Sequence, residues 1–117
     1  MSYGSFDLEI LRGNTLTQRI EILDGEAQPY NLPEVGWGAA LRLDGASAVV
    51  PIDVDTSGAS EGRLELILQA SQTEALRCGE FIGGWELRLT EEIDGEEEPR
   101  VTTYLSGEVS VYRSVLS

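Results

Sequence analysis

Apolar and polar residues alternate along most of this chain. Phe6, Leu8 and Ile10 interleave with Asp7, Glu9 and Leu11, and after an Arg12-Gly13-Asn14 turn the pattern resumes through Leu16, Gln18, Ile20 and Ile22. Val50, Ile52 and Val54 alternate with Pro51, Asp53 and Asp55, and Leu64, Leu66 and Leu68 with Arg63, Glu65 and Ile67. Trp85, Leu87 and Leu89 alternate with Glu86, Arg88 and Thr90, and Val101, Thr103 and Leu105 lead on to Val109 and Val111. Side chains on a strand point to opposite faces in turn, so each run predicts one buried and one wet face. That is the pattern of antiparallel sheets with one solvated side.

The runs are short, and turn residues separate them: Gly13-Asn14, Asp24-Gly25, Asp44-Gly45, Ser57-Gly58 and Asp94-Gly95. About seven or eight strands at this spacing predict a sandwich or a barrel. Leu89 to Thr103 reads as a hairpin with a solvated tip, Asp94-Gly95-Glu96-Glu97-Glu98-Pro99. Gly36-Trp37-Gly38-Ala39-Ala40 reads as a strand that another backbone approaches closely, and Pro29, Tyr30-Asn31-Leu32 and Pro33 as a structured loop. One segment breaks the period. Ala70 to Leu76 predicts a short helix, with Ser71-Gln72-Thr73-Glu74 as its capping box and Gly79 near its stop. It is too short for the crossover of a βαβ unit.

The 117 residues suit one domain, residues 1–117, and the 41% apolar content is enough for one core. The charge changes the picture more. There are 21 acidic residues against 8 basic ones, a net charge of −13. All the basic residues are scattered arginines, whereas phosphate binding needs them clustered. No nucleic-acid partner and no anionic membrane partner is therefore expected. The acidity serves solubility, or complements a basic protein surface and speeds encounter with it. The N-terminus has neither a basic nor an apolar region of a signal peptide, and no apolar run is long enough to span a bilayer. A soluble product of a reducing cytoplasm is expected.

The chemistry the residues permit is narrow. The chain has no histidine and one cysteine, Cys78, which excludes His/Cys metal sites and triads built on a histidine base. Cys78 has no base partner and is expected to be structural. Asp53 and Asp55 raise calcium, but Asp53-Val54-Asp55-Thr56-Ser57-Gly58 lacks the third acidic position and the distal glutamate of an EF-hand loop. Glu96-Glu97-Glu98 is expected to be a solvated turn. No carboxylate pair stands out for glycoside hydrolysis. Trp37 and Trp85 admit two readings, a sugar-stacking platform or core packing. The clean alternation around Trp85 favours core, and the glycines beside Trp37 leave it open. Tyr3, Tyr104 and Tyr112 fall near the chain ends, where tyrosine suits protein contacts. No catalytic, cofactor-binding or metal-ligating residue is expected, and no cofactor.

The order of these motifs resembles one family: the N-terminal domain of phage baseplate upper proteins, with related small phage and prophage tail proteins. Phe6-Asp7-Leu8-Glu9-Ile10 followed by Arg12-Gly13-Asn14-Thr15 is similar to that family's opening strand and Gly-Asp-Thr turn. Ile20-Glu21-Ile22-Leu23-Asp24-Gly25, then Pro29-Tyr30-Asn31-Leu32, is similar to its second strand, Asp-rich turn and Asp-Leu-Thr step. Gly62-Arg63-Leu64-Glu65-Leu66, Thr73-Glu74-Ala75-Leu76, Gly79-Glu80-Phe81 and Trp85-Glu86-Leu87-Arg88-Leu89 follow in the family's order. Leu105-Ser106-Gly107-Glu108-Val109 matches its closing Leu-x-Gly-x-Val strand. Asn14 stands where the family has Asp, and Asn31-Leu32-Pro33 where it has Asp-Leu-Thr; both suit turns.

The resemblance runs from Phe6 to Val111 and implies an immunoglobulin-like antiparallel β-sandwich of about seven or eight strands with one short helical turn. It implies a structural virion protein, made soluble in a bacterial host cytoplasm, in the baseplate or tail-fibre attachment region. It transfers no catalytic residues. Baseplate upper proteins continue into a region that docks receptor-binding proteins, whereas this chain stops at Ser117, so a stand-alone version without that docking role is expected. Its partners would be other tail, baseplate or fibre proteins, with homo-oligomers or multiple symmetric copies. The alternatives are a phage head cement or decoration protein and a small carbohydrate-binding module.

Overall fold

A computed structural model describes residues 4–22 and 31–113. The turn at Asp24-Gly25 and the Pro29-Tyr30 part of the predicted loop lie outside them, as does Tyr3. Eight strands follow in order among the described residues: β1 (Gly4–Ser5), β2 (Leu8–Leu11), β3 (Leu16–Glu21), β4 (Trp37–Leu43), β5 (Val50–Asp55), β6 (Arg63–Leu68), β7 (Gly79–Glu91) and β8 (Arg100–Tyr112). A 3-10 turn, Ala59–Glu61, joins β5 to β6, and a five-residue helix, α1 (Ala70–Glu74), joins β6 to β7.

The strands form one hydrogen-bonded path, β8-β7-β4-β5-β6-β3, antiparallel at each step. It becomes two sheets at β5. The first half of β5 pairs with β4, Ile52 opposite Ala39, while Asp53–Asp55 pairs with β6. A strand that changes partner part-way along makes the corner of a sandwich. One sheet is then β8-β7-β4 and the other β3-β6-β5, the division of an immunoglobulin-like sandwich. The expected all-β sandwich is present.

One part of the expected antiparallel pattern is corrected. β1 and β2 pair with β8 in parallel, at a constant offset from Gly4 opposite Leu105 to Leu11 opposite Tyr112. They act as a single edge strand interrupted at Phe6-Asp7. Alternation says which face a residue takes, not which way its neighbour runs, so the parallel pairing left no mark in the pattern.

The alternating residues meet in one core. Leu8, Ile10, Leu41, Ile52, Leu64, Leu66, Leu68, Leu87, Val109 and Val111 are all buried and belong to a single cluster fed by both sheets. Leu32 closes it from the loop before β4, held by its N–H to the Ala59 carbonyl at 2.9 Å. The predicted hairpin is β7–β8, with its tip between Glu91 and Arg100. A register shift between Leu87 and Arg88 skips Tyr104 on β8. This bulge reverses the phase of the strand beyond it, which is why Val101 is exposed rather than inward like Val109.

The helix sits where predicted, but its cap is displaced. The N-cap residue is Gln69, not Ser71, and the Gln69 N–H donates to Gln72 Oε1 at 2.8 Å. It ends at Ala75. Thr73, fully buried, ties it to the β2–β3 turn: its hydroxyl donates to the Asn14 carbonyl at 2.8 Å and accepts from the Gly13 N–H at 3.0 Å.

Candidate functional site

Trp85 is core, as its alternation predicted. It is buried on β7, and its indole N–H donates to the Phe6 carbonyl at 2.6 Å. That carbonyl turns inward at the break between β1 and β2, at a point where β8 carries Gly107. A Cβ on Gly107 would lie 2.0 Å from the Phe6 oxygen. Beside it, the Asp7 carboxylate accepts the Glu108 N–H at 2.9 Å.

Trp37 is half-buried. Its ring meets Tyr104 edge-to-face at 4.9 Å, and its N–H donates to the Pro33 carbonyl at 2.8 Å. The backbone approach predicted for this stretch falls at Gly36, where φ is +93° and a Cβ would stand 2.3 Å from the Thr90 oxygen.

The carboxylates do not converge. Asp53 and Asp55 share the outer face of β5. Asp55 caps its own turn, its Oδ1 accepting the Ser57 N–H at 2.9 Å. That backbone bond, with a second from the Ser57 side chain, holds the Asp55 carboxyl below its usual range. Glu96 pairs with Arg100 at 2.7 Å across the hairpin tip. Among the described residues no group of three or more acidic or cysteine side chains is placed to hold a metal ion. Cys78 is free and exposed between α1 and β7, so its expected structural role is not that of a core residue.

Three surface features were not singled out by the sequence reading. The first is a shallow open groove of about 520 Å³ across β4 and β7, lined by Ala40, Arg42, Asp44, Val49, Gly84 and Glu86 among others. The second is an apolar corner. Leu11 and Tyr112 are exposed and opposite one another in the β2–β8 ladder. Next to them β7 bulges between Gly79 and Gly83. Phe81 in that bulge has φ of +50°, left-handed for an aromatic residue, and is 59% exposed. Its N–H donates to the Ser110 hydroxyl at 2.9 Å, which lets Ser110 be buried beneath it. Exposed Glu9, opposite Ser110, and exposed Glu80 flank the corner. The glycines on either side of Phe81 were the sequence signal for that bulge. The third is the regular edge of β3.

These features define a small, acidic, immunoglobulin-like sandwich with open strand edges and an exposed apolar corner. Compared with known protein families and with curated proteins, the chain matches none. Among the described residues, no helix is long and apolar enough to cross a membrane.

Proposed function

We propose that the chain is a non-catalytic structural protein of a tailed phage or prophage particle, working by protein–protein assembly in the baseplate or tail-fibre attachment region. The apolar corner carries the assembly part. Leu11 and Tyr112, opposite one another on β2 and β8, and Phe81 in the adjoining bulge of β7 are all exposed, and Phe81 is so from a backbone conformation that is costly for it. Contiguous apolar surface rimmed by charge is the usual form of a protein-binding site. The Glu9 and Glu80 rim, on a chain with net charge −13, fits a neighbour with a basic surface around an apolar contact. The placement in a phage tail rests on the ordered resemblance from Phe6 to Val111.

Quantitative mass spectrometry of purified particles tests this reading. The chain should be present at a copy number set by tail symmetry, and Phe81→Ser with Tyr112→Ser should lower its incorporation while leaving the fold intact. A large surplus of copies indicates a head decoration protein instead. Absence from particles rejects the virion reading. Binding on a glycan array that is lost in Trp37→Ala then favours the carbohydrate-binding alternative.

A further inference from the structure

β3 is a regular strand with one side open among the described residues. All six residues pair with β6 without a register shift, from Leu16 opposite Leu68 to Glu21 opposite Arg63. No other described strand pairs with it. It contains no proline and no bulge, two of the devices that commonly block an edge.

The backbone direction at that edge is fixed by the structure. The Ile22 N–H donates to the Gly62 carbonyl at 2.8 Å, continuing the β3–β6 register by one pair. In an antiparallel ladder, alternate residues direct both backbone groups to the same neighbour. Even-numbered residues of β3 therefore face β6, and Thr17, Arg19 and Glu21 turn their N–H and C=O to the open side. An independent contact agrees: the Gln18 side-chain amide, which is solvent-exposed, donates to the Arg19 carbonyl at 3.0 Å. The side chains of Thr17, Arg19 and Glu21 are exposed as well.

A second copy of the chain can pair with this edge only in registers that match odd residues with odd residues. A two-fold axis at Arg19 sets Arg19 against itself. An axis at Gln18 sets Arg19 against Thr17. An axis at Ile20 sets Arg19 against the second copy's Glu21, and Glu21 against the second copy's Arg19. The flanking strands extend this complementarity, because Arg19 lies opposite Glu65 and Glu21 opposite Arg63. Across the seam the row then reads Glu65, Arg19, the second copy's Glu21 and the second copy's Arg63, alternating in sign at each step. Opposite charges directly across a ladder stabilise it, and like charges destabilise it. Arg19 is available for this. Among the described residues its ion pair is to Glu65, 3.9 Å long, and its side chain is 60% exposed.

We propose that the chain forms a two-fold dimer through β3, centred on Ile20, which joins the β5-β6-β3 sheets of two copies into one continuous sheet. The proposal stands apart from the phage assignment. Its contacts are four backbone hydrogen bonds and two cross-strand ion pairs, which suits a reversible dimer.

The test is sedimentation of the purified chain over a micromolar-to-millimolar concentration series. Physiological ionic strength screens the mutual repulsion of two acidic chains beyond about 8 Å. Wild-type mass should rise from monomer to dimer. Arg19→Glu and Glu21→Arg each convert two attractive pairs per dimer to repulsive ones and should weaken association by roughly tenfold or more. The double variant Arg19→Glu/Glu21→Arg re-forms the two cross-seam pairs with their signs exchanged while setting like charges against Glu65 and Arg63 within each copy, so it should recover part of the association lost in the single reversals. Circular dichroism checks that each variant is folded. A wild-type chain that stays monomeric throughout overturns the proposal. So does a dimer that ignores the single reversals, or a folded double variant that associates no better than either single reversal.

Discussion

Gly107→Ala probes the most constrained point of the sandwich. Nothing about its φ calls for glycine; the demand is for space. A Cβ there would sit 2.0 Å from the Phe6 oxygen and 2.6 Å from the Phe6 carbonyl carbon. Close C···O contacts lie at about 3.3 Å or more, so the Phe6 carbonyl must retreat by roughly 1.3 Å. That retreat takes it off the Trp85 indole N–H, now held at 2.6 Å, and disturbs the adjoining bond that the Glu108 N–H donates to the Asp7 carboxylate. Stranding a buried donor costs about 1–3 kcal/mol, and crowding a packed site about 1–3 kcal/mol more. Alanine stiffens the unfolded chain and returns about 0.4–1 kcal/mol. At the middle of these ranges the expected net loss is about 3 kcal/mol. At about 2.1 cal/mol/K of unfolding entropy per residue, a loss of about 3 kcal/mol lowers the Tm of this chain of 117 residues by roughly 12 °C. Urea unfolding followed by tryptophan fluorescence reads the loss directly. Gly38→Ala is the control, since nothing lies within 4 Å of its would-be Cβ, and it should stay within about 0.5 kcal/mol of wild type. A Gly107→Ala loss below about 1 kcal/mol, with native fluorescence retained, would refute the close-approach argument.

Thr73→Val keeps the shape of the buried side chain but strands the Asn14 carbonyl and the Gly13 N–H. It should cost about 1–3 kcal/mol in chemical denaturation, and a neutral result would show that water replaces the hydroxyl. The Asp55 carboxyl is held down by the Ser57 N–H and hydroxyl, so its NMR titration midpoint should fall below the usual aspartate range. A group with a depressed folded pKa contributes its stability above the unfolded pKa and loses it as pH falls through the folded value. Asp55→Asn should therefore flatten the acid limb of the stability profile, and a midpoint in the usual range contradicts the turn assignment.

Much of the fold was legible because the burial pattern is regular. Leu64, Leu66 and Leu68 are each at most 1% exposed, and Trp85, Leu87 and Leu89 each at most 3%, as their period of two requires. What escaped has specific causes. The parallel pairing of β2 with β8 is set by long-range contacts that alternation does not encode. Val101 was misplaced because the bulge at Tyr104 reverses the strand's phase. The helix cap moved because Gln69 and Gln72 make the reciprocal contact assigned to Ser71. On the surface, the alternation foresaw buried Trp85 but had nothing to say about Phe81, whose exposure comes from a local left-handed turn. The charge signs at Arg19, Glu21, Arg63 and Glu65 were visible in the sequence. Their meaning depended on the strand register, which the structure supplied.

The central claim, that this sandwich is a built-in part of a phage tail, is tested most directly by immunogold electron microscopy. The sample is particles from the strain that encodes the chain, labelled with antibody raised against it. The account predicts gold at the distal end of the tail. Gold confined to heads would move the protein to a decoration role, and unlabelled intact particles would contradict the virion reading.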